Sequence, residues 1–297
     1  MSDRPAPAEA PYRGRFAPSP TGPLHLGSLL AALGSWLLAR HHRGEWLVRV
    51  EDLDPPREVA GAAAAQLQAL AGFGLESDRP VLWQSTRGDA YREALDALLA
   101  GGHVFACHCS RSDLAGNGGI HHACVPGARR DDPAMRMRVP PGTRVGFDDA
   151  IQGRFEQDVA AEVGDFVLRR ADGPWAYQLA VVVDDAAQGI TDVVRGADLL
   201  DSTPRQLLLY RALGLPEPRH AHLPLVRDAA GQKLSKSLSS LPVDPADPLP
   251  ALRAAWRMLG QPAHAIDGGG SVDAALRLAR AHFDPAAIPR TLAAGDP

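Results

Sequence analysis

The fold is decided by one stretch near the N-terminus, Arg15-Phe16-Ala17-Pro18-Ser19-Pro20-Thr21-Gly22-Pro23-Leu24-His25-Leu26-Gly27-Ser28. It starts as an extended segment, breaks at prolines and a glycine, and opens into an apolar helix predicted over residues 29–42 and closed by Gly44. A strand, a tight turn and a helix N-terminus form an anion site, because unpaired N–H groups and the positive end of the helix dipole face the ligand. His25 lies in the turn, where its imidazole can hydrogen-bond a phosphate. The stretch therefore predicts half of a nucleotide-binding clamp.

The other half is predicted from the lysines. Of 31 lysines and arginines, only Lys233 and Lys236 are lysine, and both lie in Lys233-Leu234-Ser235-Lys236-Ser237, here called the lysine loop. A Lys ammonium is a compact, mobile point charge, which suits a phosphate oxygen whose position shifts during a reaction. The alternative is a solvated surface loop after Gly231. The clustering of the two lysines favours the phosphate-binding interpretation.

The remaining pattern predicts an α/β fold. Strand-like runs at residues 14–17 and 46–50 flank the first helix, a βαβ start that is typical of a parallel sheet. We predict further strands at residues 81–84, 166–169 and 178–183, and further helices at residues 58–72, 91–99, 203–213, 249–259 and 272–282.

The chain is predicted to divide into four segments. Residues 12–100 form the first half of a catalytic domain, and the loop-rich residues 101–170 form an insert. Residues 171–245 form the second half of the catalytic domain, with the lysine loop, and residues 246–297 form a short helical tail.

Composition excludes several classes of protein. The formal net charge is −4, so no global basic field indicates a nucleic-acid partner. The most apolar stretch, residues 24–39, is shorter than the ~20 residues that a membrane span needs, and the first twelve residues lack the basic region of a signal peptide. We therefore expect a cytoplasmic protein without a membrane partner. Local RNA contacts could come from arginines that are equally explained as solvated charges, namely Arg129, Arg130, Arg136 and Arg138.

The cysteines predict a metal site. All three, Cys107, Cys109 and Cys124, lie in one short stretch that also contains histidines. An odd number of clustered thiols in a reducing compartment argues against disulfides and for a metal. Three thiolates and one imidazole form a closed tetrahedral zinc site of the structural type. His121 is chosen as the fourth ligand over His108 and His122, and the alternative of three thiols without a metal stays open.

Four motifs carry a resemblance to a known family. Residues 19–27, Ser-Pro-Thr-Gly-x-Leu-His-x-Gly, and the lysine loop resemble the two signatures of class I aminoacyl-tRNA synthetases. Arg-Val-Glu-Asp-Leu-Asp at residues 49–54 and Val-Arg-Gly-Ala-Asp-Leu-Leu at residues 194–200 are similar to motifs of the glutamyl branch. Two positions depart from the pattern, Ser28 in place of a second histidine and Leu234 in place of a methionine. Ser28 can still cap the helix and donate to a phosphate.

The resemblance implies a Rossmann-like parallel sheet and a set of site residues. It implies that glutamate attacks the α-phosphorus of ATP, so the protein positions the reactants and stabilises phosphoryl charge. His25 and Lys236 would be catalytic and would hold the triphosphate, whose Mg²⁺ arrives with ATP. ATP would also contact Gly27, Ser28 and Lys233. Arg15 and Arg195 would bind carboxylates, Glu51 the ammonium and Tyr177 a carboxylate oxygen. The implied glutamate pocket as a whole comprises Arg15, Phe16, Ala17, Pro18, Ser19, Glu51, Tyr177 and Arg195.

One branch of the family fits the length and the insert. Residues 238–297 are expected to be too few for the helical anticodon-binding domain of a full glutamyl-tRNA synthetase. The short length and the zinc-bearing insert resemble glutamyl-queuosine tRNA(Asp) synthetases, which attach glutamate to the base queuosine in an anticodon loop. The resemblance implies L-glutamate, ATP and the queuosine-bearing anticodon stem-loop of tRNA(Asp) as partners, and we expect a monomer. The alternatives are a truncated glutamyl-tRNA synthetase that charges the 3′ end of tRNA(Glu), or a non-RNA protein that adenylates or binds glutamate.

Overall fold

A mostly parallel sheet lies at the centre of the catalytic fold. The computed structural model describes residues 11–128, 130–225 and 242–290. The main sheet of this part of the chain contains seven strands, namely β1 (Arg13–Phe16), β2 (Glu45–Val50), β3 (Leu82–Trp83), β6 (Arg144–Asp149), β7 (Gly153–Asp158), β9 (Asp192–Gly196) and β10 (Arg219–Leu223). Their spatial order is β3-β2-β1-β9-β10-β6-β7, and only β7 runs antiparallel to its neighbour. The predicted α/β fold with a parallel sheet is thereby confirmed.

Helices cover both faces of this sheet. The helices of the described residues are α1 (Leu26–His41), α2 (Ala62–Gly72), α3 (Gly88–Ala100), α4 (Arg111–Leu114), α5 (Val159–Glu162), α6 (Tyr177–Gln188), α7 (Thr203–Ala212), α8 (Pro248–Met258), α9 (His264–Asp267) and α10 (Val272–His282). One apolar cluster joins α1, α8 and α10 to strand residues such as Trp46 and Val48. A second cluster joins α3, α6 and α7. Because side chains alternate along a strand, Arg49 of β2 faces the second group of helices, where it meets α6.

The first helix begins earlier than predicted. It starts at Leu26, and His25 is its N-cap, because the His25 Nδ1 atom accepts from the Ser28 amide at 3.2 Å. Ser28 is therefore the third helical residue and not the cap. At the other end, the Gly44 amide donates to the Ala39 carbonyl at 2.8 Å, as the predicted closure requires.

Two secondary-structure predictions are wrong. The predicted strand at residues 178–183 lies inside helix α6, which is buried along Leu179–Val182 and therefore shows an unbroken apolar run. A fully buried helix and a buried strand have the same short apolar signature. Residues 101–170, predicted to be loop-rich, contain five strands, of which only the one at residues 166–169 was predicted.

The insert has its own small sheet. The strands β4 (Val104–Cys107), β5 (Ala134–Met137) and β8 (Phe166–Arg169) pair antiparallel in the order β4-β5-β8. The hairpin of β6 and β7, although it lies within residues 101–170, extends the main sheet through β10. The boundaries of the four predicted segments stay a prediction.

The helical tail packs on the catalytic fold. Helix α8 contacts α1, and its Trp256 and Ala255 are fully buried. The Trp256 indole N–H donates to the Pro262 carbonyl at 2.9 Å, which fixes the turn into α9. Across the described ranges, the helices are all too short or too polar to cross a lipid bilayer.

The turn between α1 and β2 offers a test of the packing. An alanine Cβ at Gly44 would lie 2.2 Å from the Tyr12 carbonyl oxygen, which is backbone and cannot move away alone. We expect Gly44→Ala to lower the free energy of unfolding by about 1–3 kcal/mol, the usual cost of overpacking. Urea unfolding of the purified protein measures this change.

The matched control is Gly116→Ala, where no atom lies within 4 Å of the added Cβ. We expect a change within about 0.5 kcal/mol there. Equal effects of the two substitutions would contradict the close approach at Gly44.

Candidate active site

A cavity of about 550 Å³ opens at the carboxyl ends of the central strands. It lies at β1, which has β2 on one side and β9 on the other. The strands that follow β1 and β9 in the chain, β2 and β10, therefore lie on opposite sides of this point in the sheet. Ligands of open parallel sheets bind at such a switch point. The lining includes the predicted residues Arg15, Phe16, Ala17, Ser19, Glu51, Tyr177 and Arg195.

A buried carboxylate organises the floor of the cavity. Asp185 of α6 accepts from Arg15 Nε at 3.1 Å and from Arg49 Nη1 at 2.7 Å. Arg49 Nη1 also donates to the Gln188 side chain at 2.9 Å. Burial alone would raise the pKa of Asp185, but the two guanidinium groups outweigh it and keep the pKa below its usual value. Arg15 thus enters the cavity with its charge already paired.

Glu51 places a second carboxylate at the cavity wall. Its amide donates to the Pro18 carbonyl at 2.9 Å, which ties the end of β2 to the turn after β1. Its side chain is 9% exposed and lies 3.3 Å from Arg49 Nη2. Burial raises the pKa of Glu51 above its usual value, although Arg49 and Arg15 favour the ionised form. A carboxylate in this position can receive a ligand cation such as an ammonium group.

Arg195 presents a charge that no carboxylate of the described residues compensates. Its guanidinium donates to the Tyr177 hydroxyl at 3.1 Å, to His222 Nε2 at 3.0 Å and to the Thr203 hydroxyl at 2.7 Å. All three partners are uncharged acceptors, and within the described part of the chain no acidic side chain pairs with Arg195. Arg195 is therefore better placed than Arg15 to attract an anionic ligand.

Asp184, next to Asp185, supports the neighbouring wall. It accepts from Gln84 Nε2 at 2.8 Å, from Arg87 Nε at 3.0 Å and from the Tyr91 hydroxyl at 2.6 Å. These bonds hold Gln84, which lines the cavity, against α6. Burial and the hydrogen bond to Asp184 raise the pKa of the Tyr91 hydroxyl, which stays a donor.

The predicted nucleotide side lies beside the cavity. The described lining does not include Pro18, His25, Gly27 or Ser28, although it reaches Thr21 in the same turn. The turn is held by Gln66, whose amide donates to the carbonyls of Ser19 and Gly22 at 3.1 and 2.7 Å. Lys233 and Lys236, and with them the predicted lysine loop, lie outside the described residues.

The described chain resumes next to His25 after the lysine loop. Pro242 forms an antiparallel bridge with His25, and the Val243 amide donates to the Leu24 carbonyl at 3.0 Å. Leu225, before the loop, lies 4.0 Å from a Cβ built at Gly196, a cavity residue. Both flanks of the lysine loop therefore lie at the predicted site.

A second cluster of functional side chains lies in the insert. The predicted ligand atoms of Cys107, Cys109, His121 and Cys124 all lie within 4.8 Å of one another. His121 Nε2 is 3.3 Å from the Cys107 sulfur. His108 instead directs its Nδ1 atom to the Arg130 carbonyl at 2.6 Å. The donor set of three thiols and one imidazole suits a tetrahedral zinc ion.

A carboxylate orients the histidine of this cluster. Asp165 Oδ2 lies 2.9 Å from His121 Nδ1, and Asp165 Oδ1 accepts from the Val139 amide at 2.7 Å. Such a carboxylate behind a histidine fixes the ring with Nε2 toward the metal. The predicted arginines serve the insert itself, since Arg136 donates to the Asp165 carbonyl and Arg138 lies over the Phe105 ring. Arg129 lies outside the described residues.

Sequence reasoning missed the residues that hold the pocket from behind. Asp185, Asp184, His222 and Asp149 received no role, although all are buried. The signal was present for the two aspartates of α6, because acidic residues directly after an apolar run need partners if that run is buried.

The comparisons with known proteins agree with this geometry. The sequence model of the family described as "tRNA synthetases class I (E and Q), catalytic domain" matches residues 12–123 and 119–247. A glutamyl-Q tRNA(Asp) synthetase of Xanthomonas campestris pv. campestris (strain 8004) is 66% identical over 282 residues, which cover 94% of each chain. One of Burkholderia cenocepacia (strain HI2424) is 54% identical over 279 residues, 89% of this chain and 93% of that protein.

A solved structure extends the agreement to three dimensions. The crystal structure of glutamate-tRNA synthetase from Elizabethkingia anophelis superposes with a TM-score of 0.79 at 26% identity, over 94% of this chain and 67% of that one. The chain therefore belongs to the class I tRNA synthetases of the E and Q group, and it is a ligase-type enzyme.

Proposed function

We propose that this enzyme activates L-glutamate with ATP and transfers the glutamyl group to queuosine in the anticodon loop of tRNA(Asp). The observation that carries the proposal is the meeting of Glu51, Tyr177 and Arg195 in one cavity at the switch point of the sheet. Relatives named glutamyl-Q tRNA(Asp) synthetase, 66% identical over 94% of the chain, support the choice of acceptor.

The charges of the cavity match an acidic amino acid. Among the described residues Arg195 has no carboxylate partner, and it lies next to the Tyr177 hydroxyl, so together they can bind a substrate carboxylate. Glu51 can bind the ammonium group. Arg15 lies with Asp185 on the floor, where its remaining donor capacity can serve the second carboxylate. The ammonium group and one carboxylate of glutamate thus each meet an opposite charge, and the second carboxylate meets N–H donors of Arg15, whose charge Asp185 already compensates.

The nucleotide would bind at the turn before α1. His25 caps this helix through the Ser28 amide. The helix dipole and the other amides at the start of the helix favour the triphosphate there. The chain that follows the lysine loop pairs with Leu24 and His25, which supports Lys236 and Lys233 as phosphate ligands with Gly27 and Ser28 nearby. Mg²⁺ would arrive with ATP and neutralise phosphate charge during the attack.

The transfer step needs only a positioned hydroxyl. In the adenylate, the glutamate carbonyl carbon is bonded to a phosphate oxygen of AMP. A hydroxyl of the queuosine cyclopentene ring would attack this carbon, AMP would leave with the bonding electrons, and the hydroxyl proton would pass to solvent. The base would have to be splayed out of its loop, as is common in RNA recognition.

We also propose that the insert cluster binds one structural zinc ion. Cys107 and Cys109 are buried, and His121 is oriented by Asp165. A closed site of this type stabilises a small subdomain whose sheet has only three described strands.

Substitution of Glu51 tests the proposed ammonium site. Glu51→Gln removes the charge that would bind the ammonium, and we expect KM for glutamate in ATP–pyrophosphate exchange to rise roughly ten- to a hundredfold. KM for ATP should change little. Because the pKa of Glu51 is raised, the wild-type KM for glutamate should increase as pH falls through that pKa, and the variant should lack this increase.

The matched control is Glu156→Gln on β7, an exposed carboxylate that is not part of the described cavity lining. It should behave as wild type. A Glu51→Gln enzyme with unchanged KM for glutamate would contradict the assignment of the ammonium site.

The nature of the tRNA pool tests queuosine as the acceptor of the glutamyl group. With radiolabelled glutamate, ATP and Mg²⁺, label should enter tRNA from queuosine-containing cells and not tRNA from queuosine-deficient cells. It should also enter queuosine tRNA whose 3′-terminal adenosine has been removed, because that end is not the acceptor.

Each other outcome selects another function. Equal labelling of both pools that disappears with the terminal adenosine would indicate an enzyme that charges the 3′ end of tRNA(Glu). Pyrophosphate exchange without labelling of either RNA pool would indicate a non-RNA adenylating enzyme.

Zinc content tests the proposed metal site of the insert. The purified protein should contain about one zinc ion per chain, and His121→Ala should lose it during dialysis against a mild chelator. His122→Ala, a change at the exposed neighbour, should retain it. Elemental analysis measures both, and equal zinc content in the two variants would contradict the assignment of His121.

A further inference from the structure

Arg195 is held by a buried histidine behind it. Arg195 on β9 and His222 on β10 are direct partners in the parallel register, so their side chains leave the same face of the sheet. The distance from Arg195 Nε to His222 Nε2 is 3.0 Å. His222 is fully buried and is not part of the described cavity lining. Its contact with the described cavity lining is Arg195.

The geometry fixes the tautomer of His222. A guanidinium N–H only donates, so His222 Nε2 must be the acceptor and carry no proton. Nδ1 then carries the ring proton and donates to Asp149 Oδ2 at 2.6 Å. Burial, together with nearby Arg195, lowers the pKa of His222, although Asp149 opposes this, so the ring is neutral at pH 7.

Asp149 accepts from the His222 Nδ1–H through one particular oxygen. Its Oδ1 atom accepts from the amides of Ile151, Gln152 and His222 at 3.0, 2.8 and 3.1 Å. Oδ2 is thereby left for the imidazole. Burial opposes ionisation of Asp149, but the His222 ring and these amides outweigh it and lower its pKa.

We propose that Asp149 and His222 are positioning residues for Arg195. Asp149 selects the Nδ1–H tautomer of His222, and the free Nε2 lone pair then holds the Arg195 guanidinium in the orientation that binds a substrate carboxylate. The identity of that carboxylate rests on the proposed function. The tautomer and its effect on Arg195 do not.

An isosteric change at Asp149 separates this role from packing. In Asp149→Asn, three backbone N–H groups require the amide oxygen at the Oδ1 position. The amide NH₂ then faces His222 Nδ1, which must become an acceptor. The ring proton moves to Nε2, which can then no longer accept from the Arg195 N–H, and the two N–H groups repel each other. Replacement of one carboxylate oxygen of Asp149 by an amide nitrogen should therefore change the tautomer of His222 with almost no change in side-chain volume.

Two changes at His222 separate its nitrogens. An asparagine amide reaches roughly as far as Nδ1 and can keep the contact with Asp149, but it loses the acceptor for Arg195. A glutamine amide reaches roughly as far as Nε2 and can keep that acceptor. If the contact with Arg195 matters, His222→Asn should be the more damaging of the two.

The direct test is NMR of the full-length protein labelled with ¹⁵N-histidine. A long-range ¹H–¹⁵N correlation spectrum shows which ring nitrogen carries the proton, and the His222 signals are those lost in His222→Gln. We expect the Nδ1–H tautomer in the wild type and the Nε2–H tautomer in Asp149→Asn. A doubly protonated ring or an Nε2–H ring in the wild type would overturn the proposal.

The kinetic test uses glutamate-dependent ATP–pyrophosphate exchange. We expect Asp149→Asn and His222→Asn to raise KM for glutamate roughly tenfold or more, with KM for ATP nearly unchanged. His222→Gln should raise it several-fold less than His222→Asn. The unchanged KM for ATP distinguishes this effect from misfolding.

The outcomes separate the two proposals. Equal KM values for glutamate in the wild type and both asparagine variants would mean that the Tyr177 hydroxyl, the Thr203 hydroxyl and the Leu199 carbonyl suffice to hold Arg195, and the positioning role would be lost. Parallel losses for glutamate and ATP would mean a structural role only. A wild-type protein with the expected tautomer but without glutamate activation would instead contradict the proposed function.

Discussion

The carboxylate of Asp185 is the constraint on which the rest of the site depends. It pairs with Arg15 of β1 and Arg49 of β2, which are 170 and 136 residues away in sequence. All three side chains are almost completely buried. Loss of one partner from such a buried group costs about 3–5 kcal/mol, because the remaining charge is left uncompensated. Helix α6 is thus fixed against the first two strands.

The pairing of Asp185 also sets the positions of side chains that line the cavity. Tyr177 is the first residue of α6, so the position of Asp185 two turns later also sets the position of the Tyr177 hydroxyl next to Arg195. Arg49 meanwhile contacts Glu51. On the floor, Asp185 compensates Arg15 and Arg49. Arg195 has no carboxylate partner in the described part of the chain, and Glu51 lines the cavity while it contacts Arg49. A buried, self-compensated layer beneath a reactive layer is one way to preorganise a polar pocket.

Part of this arrangement could be predicted from local patterns. The strand, turn and helix of residues 13–41 and the cysteine stretch each act over short distances in sequence, and the structure brings the predicted cysteines together with His121. Helix α6 was mistaken for a strand because Val181, Val182 and Val183 are β-branched residues in a continuous apolar run. Of the three strands of the insert sheet, β8 was predicted, whereas β4 and β5, each only four residues long, were missed.

The sequence by itself determined the α/β class, the turn before α1 and the grouping of the four candidate zinc ligands, since these follow from short-range periodicity and motif spacing. The resemblance to a known family supplied seven of the residues that line the cavity. The order of the strands was decided only by the tertiary structure. Asp149, Arg195 and His222 come from β6, β9 and β10, and they meet because β10 lies between the other two. Which strands become neighbours depends on the packing of helices over the whole sheet, and no local pattern contains that information.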